Sequence, residues 1–279
     1  MYDMKLPQNI SAQAKQALQE DIGTGDVTAD LIPKENTSTA TVVCRDNAIL
    51  VGVAWFNEVF HQIDENVEIK WNFKDGDEVS ANDIICTLSG NSRAILSGER
   101  AALNFTQTLS ATATQTQRYV KLIAHTKTNI LDTRKTIPNM RDAQKYAVLC
   151  GGGKNHRIGL YDMILIKENH IMAAGSITAA VTQAKQLHPD IRVEVETETM
   201  EEFREASNSG ADVIMLDDFD LKTMREAVAE NDGKIDLEAS GGINLDTILP
   251  IAETGVDFIS IGQITKDVIA IDLSMRFDK

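Results

Sequence analysis

From residue 129 onward, short apolar runs alternate with longer segments whose apolar positions recur every three or four residues. The runs 129–132, 163–166, 192–195, 212–216, 235–239 and 258–261 predict strands. The segments 141–149, 176–187, 200–209, 221–230 and 245–254 predict amphipathic helices. Strand–helix repeats of this length imply right-handed βαβ units and a parallel sheet. Their number suits an α/β barrel, complete or one or two strands short, better than an open sheet carrying a dinucleotide motif. The glycine triplet at 151–153 is no dinucleotide fingerprint, because it follows a helical segment and not a strand.

The first 110 or so residues pattern differently. A short helix is expected over 11–20, capped by Ser11, and strands over 38–45, 48–53, 67–73 and 84–89, with a turn at 74–77. The stretch 74–90 is similar to the hairpin of lipoyl and biotinyl carrier domains, but it has no modifiable lysine at a tip, so only a shared strand arrangement is expected. A long helix follows from 97 or 98 to about 125. On it Ala102, Phe105, Leu109, Ala113, Thr116, Val120 and Ile123 form one largely apolar stripe. This start places Arg100 in the first turn, where a cation opposes the helix dipole and so invites a functional reading.

Composition narrows the partners. The 279 residues allow one large barrel domain or two ordinary ones, and 43% hydrophobic content suffices for a sizeable core. With 42 Asp and Glu against 27 Lys and Arg, the net charge is -15, a field that disfavours nucleic acid and anionic membrane. The longest apolar run, 48–56, is too short to span a bilayer, and the start lacks an apolar signal core. A cytoplasmic location is expected. Cys44, Cys86 and Cys150 have no ligand spacing and no even pairing, so they predict neither disulfides nor zinc, and Cys150 is expected to be a buried spectator.

Against that acidity, residues 134–167 carry seven cations (Arg134, Lys135, Arg141, Lys145, Lys154, Arg157 and Lys167) with His156 beside them, and only two acids. Chemistry-bearing residues also sit at or just past the end of every predicted barrel strand. They are Asp132 to Lys135, Lys167, Glu196, Asp217, Ser240 with Gly241 and Gly242, and Gly262. In α/β barrels the carboxyl ends of the strands build the site. Arg134, Lys135, His156, Arg157 and Lys167 supply donors for carboxylates and phosphates, and guanidinium forks pair with them bidentately. Backbone N–H groups at Ser240, Gly241 and Gly242 can approach a phosphate closely. Glu196 and Asp217 suit Mg²⁺ or ribose hydroxyls, or a developing sugar cation.

The segments EDIGTGDVT, SGERAALNF, ILDTRKTIPNMR, YAVLCGGGKNHRIGLYDMILIKENHI, VEVE, IMLDDF, LEASGGI and ISIGQIT resemble the quinolinate phosphoribosyltransferase family over nearly the whole chain. The chain departs from the family pattern at Asp218, where Asn is usual, and at Gln263 and Ile264, where Ala-Leu is usual. The resemblance implies an N-terminal mixed α/β sandwich over 1–110 and an incomplete, open parallel α/β barrel over 111–267, with the tail 268–279 packing back on the sandwich. It implies transfer of phosphoribosyl from phosphoribosyl pyrophosphate to quinolinate with decarboxylation, in NAD biosynthesis, with Mg²⁺. It also implies a homodimer with shared active sites. Carried over, Arg134, His156, Arg157 and Lys167 would bind quinolinate, with Lys135 nearby and Arg100 reaching in from the neighbouring copy. Ser240, Gly241, Gly242 and Gly262 would hold phosphate. Lys135, Glu196 and Asp217 form the catalytic set, the last two also metal ligands. The residues leave open a same-fold relative acting on another anionic acceptor, of the type associated with molybdenum transport, or on nicotinate. A non-catalytic binder of phosphorylated metabolites is a further alternative, though a pure anion binder has no use for Glu196 and Asp217.

Overall fold

The computed structural model describes residues 5–278. Residues 1–4, part of the start read above for a signal core, and Lys279 of the tail lie outside the described residues. In chain order the elements are α1 (Ile10–Ile22), β1 (Thr37–Cys44), β2 (Ala48–Ile49), α2 (Val53–Ile63), β3 (Glu68–Trp71), β4 (Glu78–Val79), β5 (Ile84–Asn91) and α3 (Ser92–Leu122). Then come β6 (Asn129–Leu131), α4 (Arg141–Cys150), β7 (Ile164–Ile166), α5 (Glu168–Ala174), α6 (Ile177–Leu187), β8 (Val193–Thr197), α7 (Met200–Ser209) and β9 (Val213–Asp217). The chain ends with α8 (Leu221–Asn231), β10 (Asp236–Ser240), α9 (Ile248–Ala252), β11 (Phe258–Ser260), α10 (Gln263–Lys266) and β12 (Leu273–Phe277).

Two compact units result. One comprises Met1–Gln117, Asp142–Gly152 and Asp267–Lys279, the other Arg118–Arg141 and Gly153–Lys266. In the first, an antiparallel sheet has the order β12-β1-β5-β3. Alternate residues of β1, Ala40, Val42 and Cys44, are buried, which is the period of a sheet with one face on a core. The last strand of the chain is therefore an edge partner of the first, and α4 belongs to this unit although its place in sequence is within 111–267.

Three local expectations are corrected here. The strand expected over 48–53 does not run that far, because β2 ends at Ile49. Gly52 (φ 117) breaks the apolar run, and Trp55, Phe56, Val59 and Phe60 follow at helical spacing as the buried face of α2. Asp75 accepts the backbone N–H groups of Gly52 (2.9 Å) and Val53 (3.1 Å), capping this helix from a distant turn. Ser11 does not cap α1. Asn9 occupies that position without a side-chain capping bond, its amide donating to Asp142 Oδ2 (3.2 Å) instead, and Ser11 accepts from Gln62. α3 begins at Ser92, where Asn91 Oδ1 accepts from the N–H groups of Arg93 (3.0 Å) and Ala94 (3.3 Å). Arg100 thus sits two turns in, beyond the reach of the N-terminal dipole.

In the second unit six parallel strands take the order β6-β11-β10-β9-β8-β7. Strands consecutive in the chain are neighbours except at one place: β6 pairs with β11 and not with β7. The sheet is an incomplete barrel, open between β6 and β7. The three central residues of β8, β9 and β10 are, with few exceptions, buried, as expected of parallel strands covered on both faces. At the gap, Lys154 N–H donates to Ile130 O (2.8 Å) and Asp132 N–H to Lys154 O (3.2 Å), fastening the segment that follows the glycine triplet to the β6 edge. Because all six strands run the same way, their carboxyl ends open on one side.

Candidate active site

The carboxyl ends surround two adjoining cavities. The first, ≈ 300 Å³, is lined by Arg134, Arg141, His156, Arg157, Lys167 and Glu196, with Glu238 beneath. The second, ≈ 410 Å³, is lined by Asp217, Asp218, Gly241, Gly242, Gly262 and Lys266. Thr133, Lys135, Ser240 and Ser260 line both.

Local sequence explains how each cation is aimed. Lys135 N–H donates to Thr133 Oγ1 (3.0 Å), and Thr265 Oγ1 in α10 donates to Lys135 O (2.8 Å), so the DTRKT loop is held from both sides. Lys167 follows β7 as the N-cap of α5, and its N–H donates to His170 Nδ1 (3.0 Å), which turns the chain into α5 and leaves the ammonium paired with Glu196. Arg141 donates to Thr136 Oγ1 (3.2 Å), Ile158 O (3.2 Å) and Arg134 O (3.4 Å), so this arginine braces two loops against each other. Arg134 is different. Its guanidinium has no hydrogen-bond or ion-pair partner among the described residues. It stands close enough to Arg157 that burial, then Arg134's charge, lower the Arg157 pKa from its ordinary value. Two cations held together in a partly dry cavity are a preformed anion site.

Beneath them is a buried acid cluster. His156 Nε2 lies 2.9 Å from Glu194 Oε2 and 3.5 Å from Glu238 Oε2. Both carboxyls are essentially solvent-free, and burial pushes Glu194 up to about 7. Burial and then the charge of Glu194 push Glu238 up to about 8. A carboxyl raised in the folded state adds stability in full below its unfolded pKa of about 4.3, and that stability is lost as pH rises through the folded value. Glu238→Gln, neutral at every pH, should therefore flatten the decline of melting temperature between about pH 5 and about pH 9. Scanning calorimetry across that range checks this; an unchanged slope would exclude Glu238 as the titrating group.

In the second cavity Asp217 ends β9 and its side chain has no hydrogen-bond or ion-pair partner among the described residues. Asp218 takes a left-handed conformation (φ 54), and its carboxylate lies over Gly241. Gly241 (φ 103) and Gly242 (φ 53) both follow Ser240 in conformations that favour glycine.

The expected ring is thus split. Arg134, His156, Arg157, Lys167 and Glu196 come together in one cavity, Asp217, Gly241, Gly242 and Gly262 in the next, and Lys135 and Ser240 touch both. Lys145 is buried in α4 of the first unit, and Lys154 lies over the Phe258 ring, 5.8 Å from its centre, and neither lines either of these two cavities. Arg100 lies on α3 of the first unit, half-exposed, with its neighbour Glu99 at 3.9 Å. His156 lines the first cavity, yet both ring nitrogens are already engaged, Nε2 with Glu194 and Nδ1 with the N–H of Arg157 (2.8 Å). Sequence reading passed over Glu194 and Glu238. The only sign was an acid in the middle of each of two apolar strands. Burial pushes the Cys150 thiol up to about 12, which removes it as a nucleophile and agrees with a spectator role.

The fold and the site define an incomplete parallel α/β barrel that carries a cationic cavity beside a glycine-walled one at its strand ends. Residues 112–276 match the model of the quinolinate phosphoribosyl transferase C-terminal domain, and residues 26–110 that of its N-terminal domain. The chain belongs to the quinolinate phosphoribosyl transferase family. It is 45% identical over 257 residues, 92% of this chain and 89% of the relative, to a probable nicotinate-nucleotide pyrophosphorylase [carboxylating] of Bacillus subtilis. Among solved structures it is similar to the nicotinate-nucleotide pyrophosphorylase from Francisella tularensis, at 50% identity and TM-score 0.96 over 98% of each chain. NadC from Streptococcus pyogenes is 35% identical, with TM-score 0.95 over 99% of each chain.

Proposed function

We propose that the chain transfers a phosphoribosyl group from phosphoribosyl pyrophosphate to quinolinate and releases carbon dioxide, giving nicotinate mononucleotide and pyrophosphate in NAD biosynthesis. The observation that carries this reading is the uncommitted Arg134 guanidinium beside Arg157 in a cavity that adjoins a glycine-walled one. A pyridine diacid needs a cationic cluster, and a sugar phosphate needs backbone donors next to it. Arg134, Arg157 and Lys167 hold the two carboxylates. Ser240, Gly241, Gly242 and Gly262 hold the 5′-phosphate. Lys135, which lines both cavities, sits where the two substrates meet.

The bond from the anomeric carbon to pyrophosphate breaks, and Glu196 and Asp217 counter the positive charge that develops on the ribose. The pyridine nitrogen then forms its bond to the anomeric carbon. The quaternised ring accepts the electron pair left as the adjacent carboxylate departs as carbon dioxide, and that ring carbon takes up a proton. Most of the protein's contribution is to hold two anions together in attacking geometry. Mg²⁺ fits the same residues. Asp217 is a carboxylate with no hydrogen-bond or ion-pair partner among the described residues, and it would hold the ion together with Glu196, whose carboxylate is paired with Lys167 in this structure; the ion would neutralise the departing pyrophosphate. We place this reaction in the cytoplasm; among the described residues no helix is long and apolar enough to cross a membrane.

The reading is tested by pyrophosphate release with quinolinate present and absent. Release only with quinolinate is expected, and equal release with nicotinate would point to a different acceptor. We further assign a homodimer in which Arg100 completes the neighbour's site. Arg100→Ala and Arg134→Ala are then each inactive alone, but mixing them by unfolding and refolding together should restore about one quarter of wild-type activity through random pairing. No recovery in the mixture would mean that each copy supplies its own Arg100.

A further inference from the structure

Arg157 reaches the first cavity from a loop without regular structure, fastened at Lys154 to the β6 edge. At Arg157 itself the guanidinium donates through Nη1 to Met163 O (3.4 Å), and the main chain is fixed by the imidazole before it. Arg157 N–H can only donate, so His156 Nδ1 accepts (2.8 Å). The neutral ring must then carry its proton on Nε2, and that proton points at Glu194 Oε2, 2.9 Å away, with Glu238 Oε2 at 3.5 Å. On the main-chain side, His156 N–H donates to Asp132 Oδ1 (2.9 Å), and Asn155 Nδ2 donates to Asp132 Oδ2 (2.6 Å). The imidazole is thereby a strut between two barrel strands and the backbone of Arg157.

We propose that Glu194 and Glu238 are positioning residues of the diacid site, acting through the Nε2–H tautomer of His156 to hold Arg157 where it meets a carboxylate. The assignment of substrate rests on the function proposed above; the strut itself does not. The same three side chains lie within 4.8 Å of one another, which is also a spacing for a cation. The strut opposes that alternative, because an Nε2 that carries a proton has no lone pair for a metal. Glu194 and Glu238 also hydrogen-bond to each other, and Glu238 to Ser260, so the acceptor that faces Nε2 is itself held in place.

What His156 requires is an acceptor, and a carboxamide oxygen supplies one as well as a carboxylate does. Glu194→Gln should therefore keep the quinolinate KM within about 3-fold of wild type, whereas Glu194→Leu should raise it about 10-fold to about 100-fold, as a displaced positioning group does. The KM for phosphoribosyl pyrophosphate should stay near wild type in both variants, because Arg157 lines only the first cavity. Imidazole ¹⁵N shifts of His156 in the wild-type protein give a readout independent of turnover: the Nε2–H form is expected, retained in Glu194→Gln and mixed in Glu194→Leu. A wild-type Nδ1–H ring or zinc-induced shifts at Nε2 would overturn the proposal even if Glu194→Leu fails to fold. A folded Glu194→Leu with unchanged quinolinate KM would overturn it too. Failure of the wild-type protein to bind quinolinate would sink the substrate reading and leave the tautomer measurement to decide the strut.

Discussion

Arg134→Ala should weaken quinolinate binding by a factor on the order of 100 while leaving the melting temperature unchanged. A hydrogen bond to a charged group is worth about 1.5–3 kcal/mol, and about 1.4 kcal/mol is a tenfold change, so losing one bidentate carboxylate contact reaches that factor. The fold should not notice. The Arg134 guanidinium bonds no protein group among the described residues, and its removal relieves the charge pressure on Arg157. Arg141→Ala is the contrasting case. That side chain donates to three loop acceptors, so its loss should lower stability as well as affinity. Titration calorimetry with quinolinate, paired with thermal unfolding, separates the two. An Arg134→Ala protein that binds the diacid normally would remove the central support for the proposed function.

Gly241→Ala should be the most damaging single-methyl change in the second cavity. A Cβ there would lie 1.9 Å from Asp218 Oδ1 and 2.9 Å from the Asp218 backbone nitrogen, at a φ of 103° that side chains rarely adopt. Backbone must move, and the phosphate donors at Ser240 to Gly242 move with it. Gly262→Ala meets its nearest atom at 2.9 Å as well, but that atom is Lys135 Cδ, far along a flexible side chain that can swing aside. The expected result is loss of phosphoribosyl pyrophosphate binding by about 100-fold or more in Gly241→Ala and about 10-fold or less in Gly262→Ala. Equal effects would show that the Ser240–Gly242 turn does not carry the phosphate.

Most of the barrel was legible because parallel strands leave short apolar runs at regular spacing, and their ends carry the chemistry. The N-terminal unit was harder. One apolar run holds both a two-residue strand and the start of α2, and only Gly52 and a cap from Asp75 separate them. The start of α3 was misplaced because its capping group, Asn91, belongs to the preceding strand. Among the cations, charge alone could not distinguish Arg134, whose guanidinium has no partner among the described residues, from Arg141, which is a brace, or from Lys145, which is buried elsewhere. Glu194 and Glu238 stayed hidden for a related reason. An acid within a strand reads as solvent-facing until the fold brings a histidine against it.

Because β12 is the outermost partner of β1 in the antiparallel sheet, the ribosome releases the pieces of that sheet out of order. Its other strands emerge first, then the whole barrel, and only then the strip that covers the exposed edge of β1. Throughout synthesis of the barrel, that bare row of N–H and C=O groups is open to pairing with a stray chain. β12, made after the barrel strands, therefore acts as the closing seam of the antiparallel sheet.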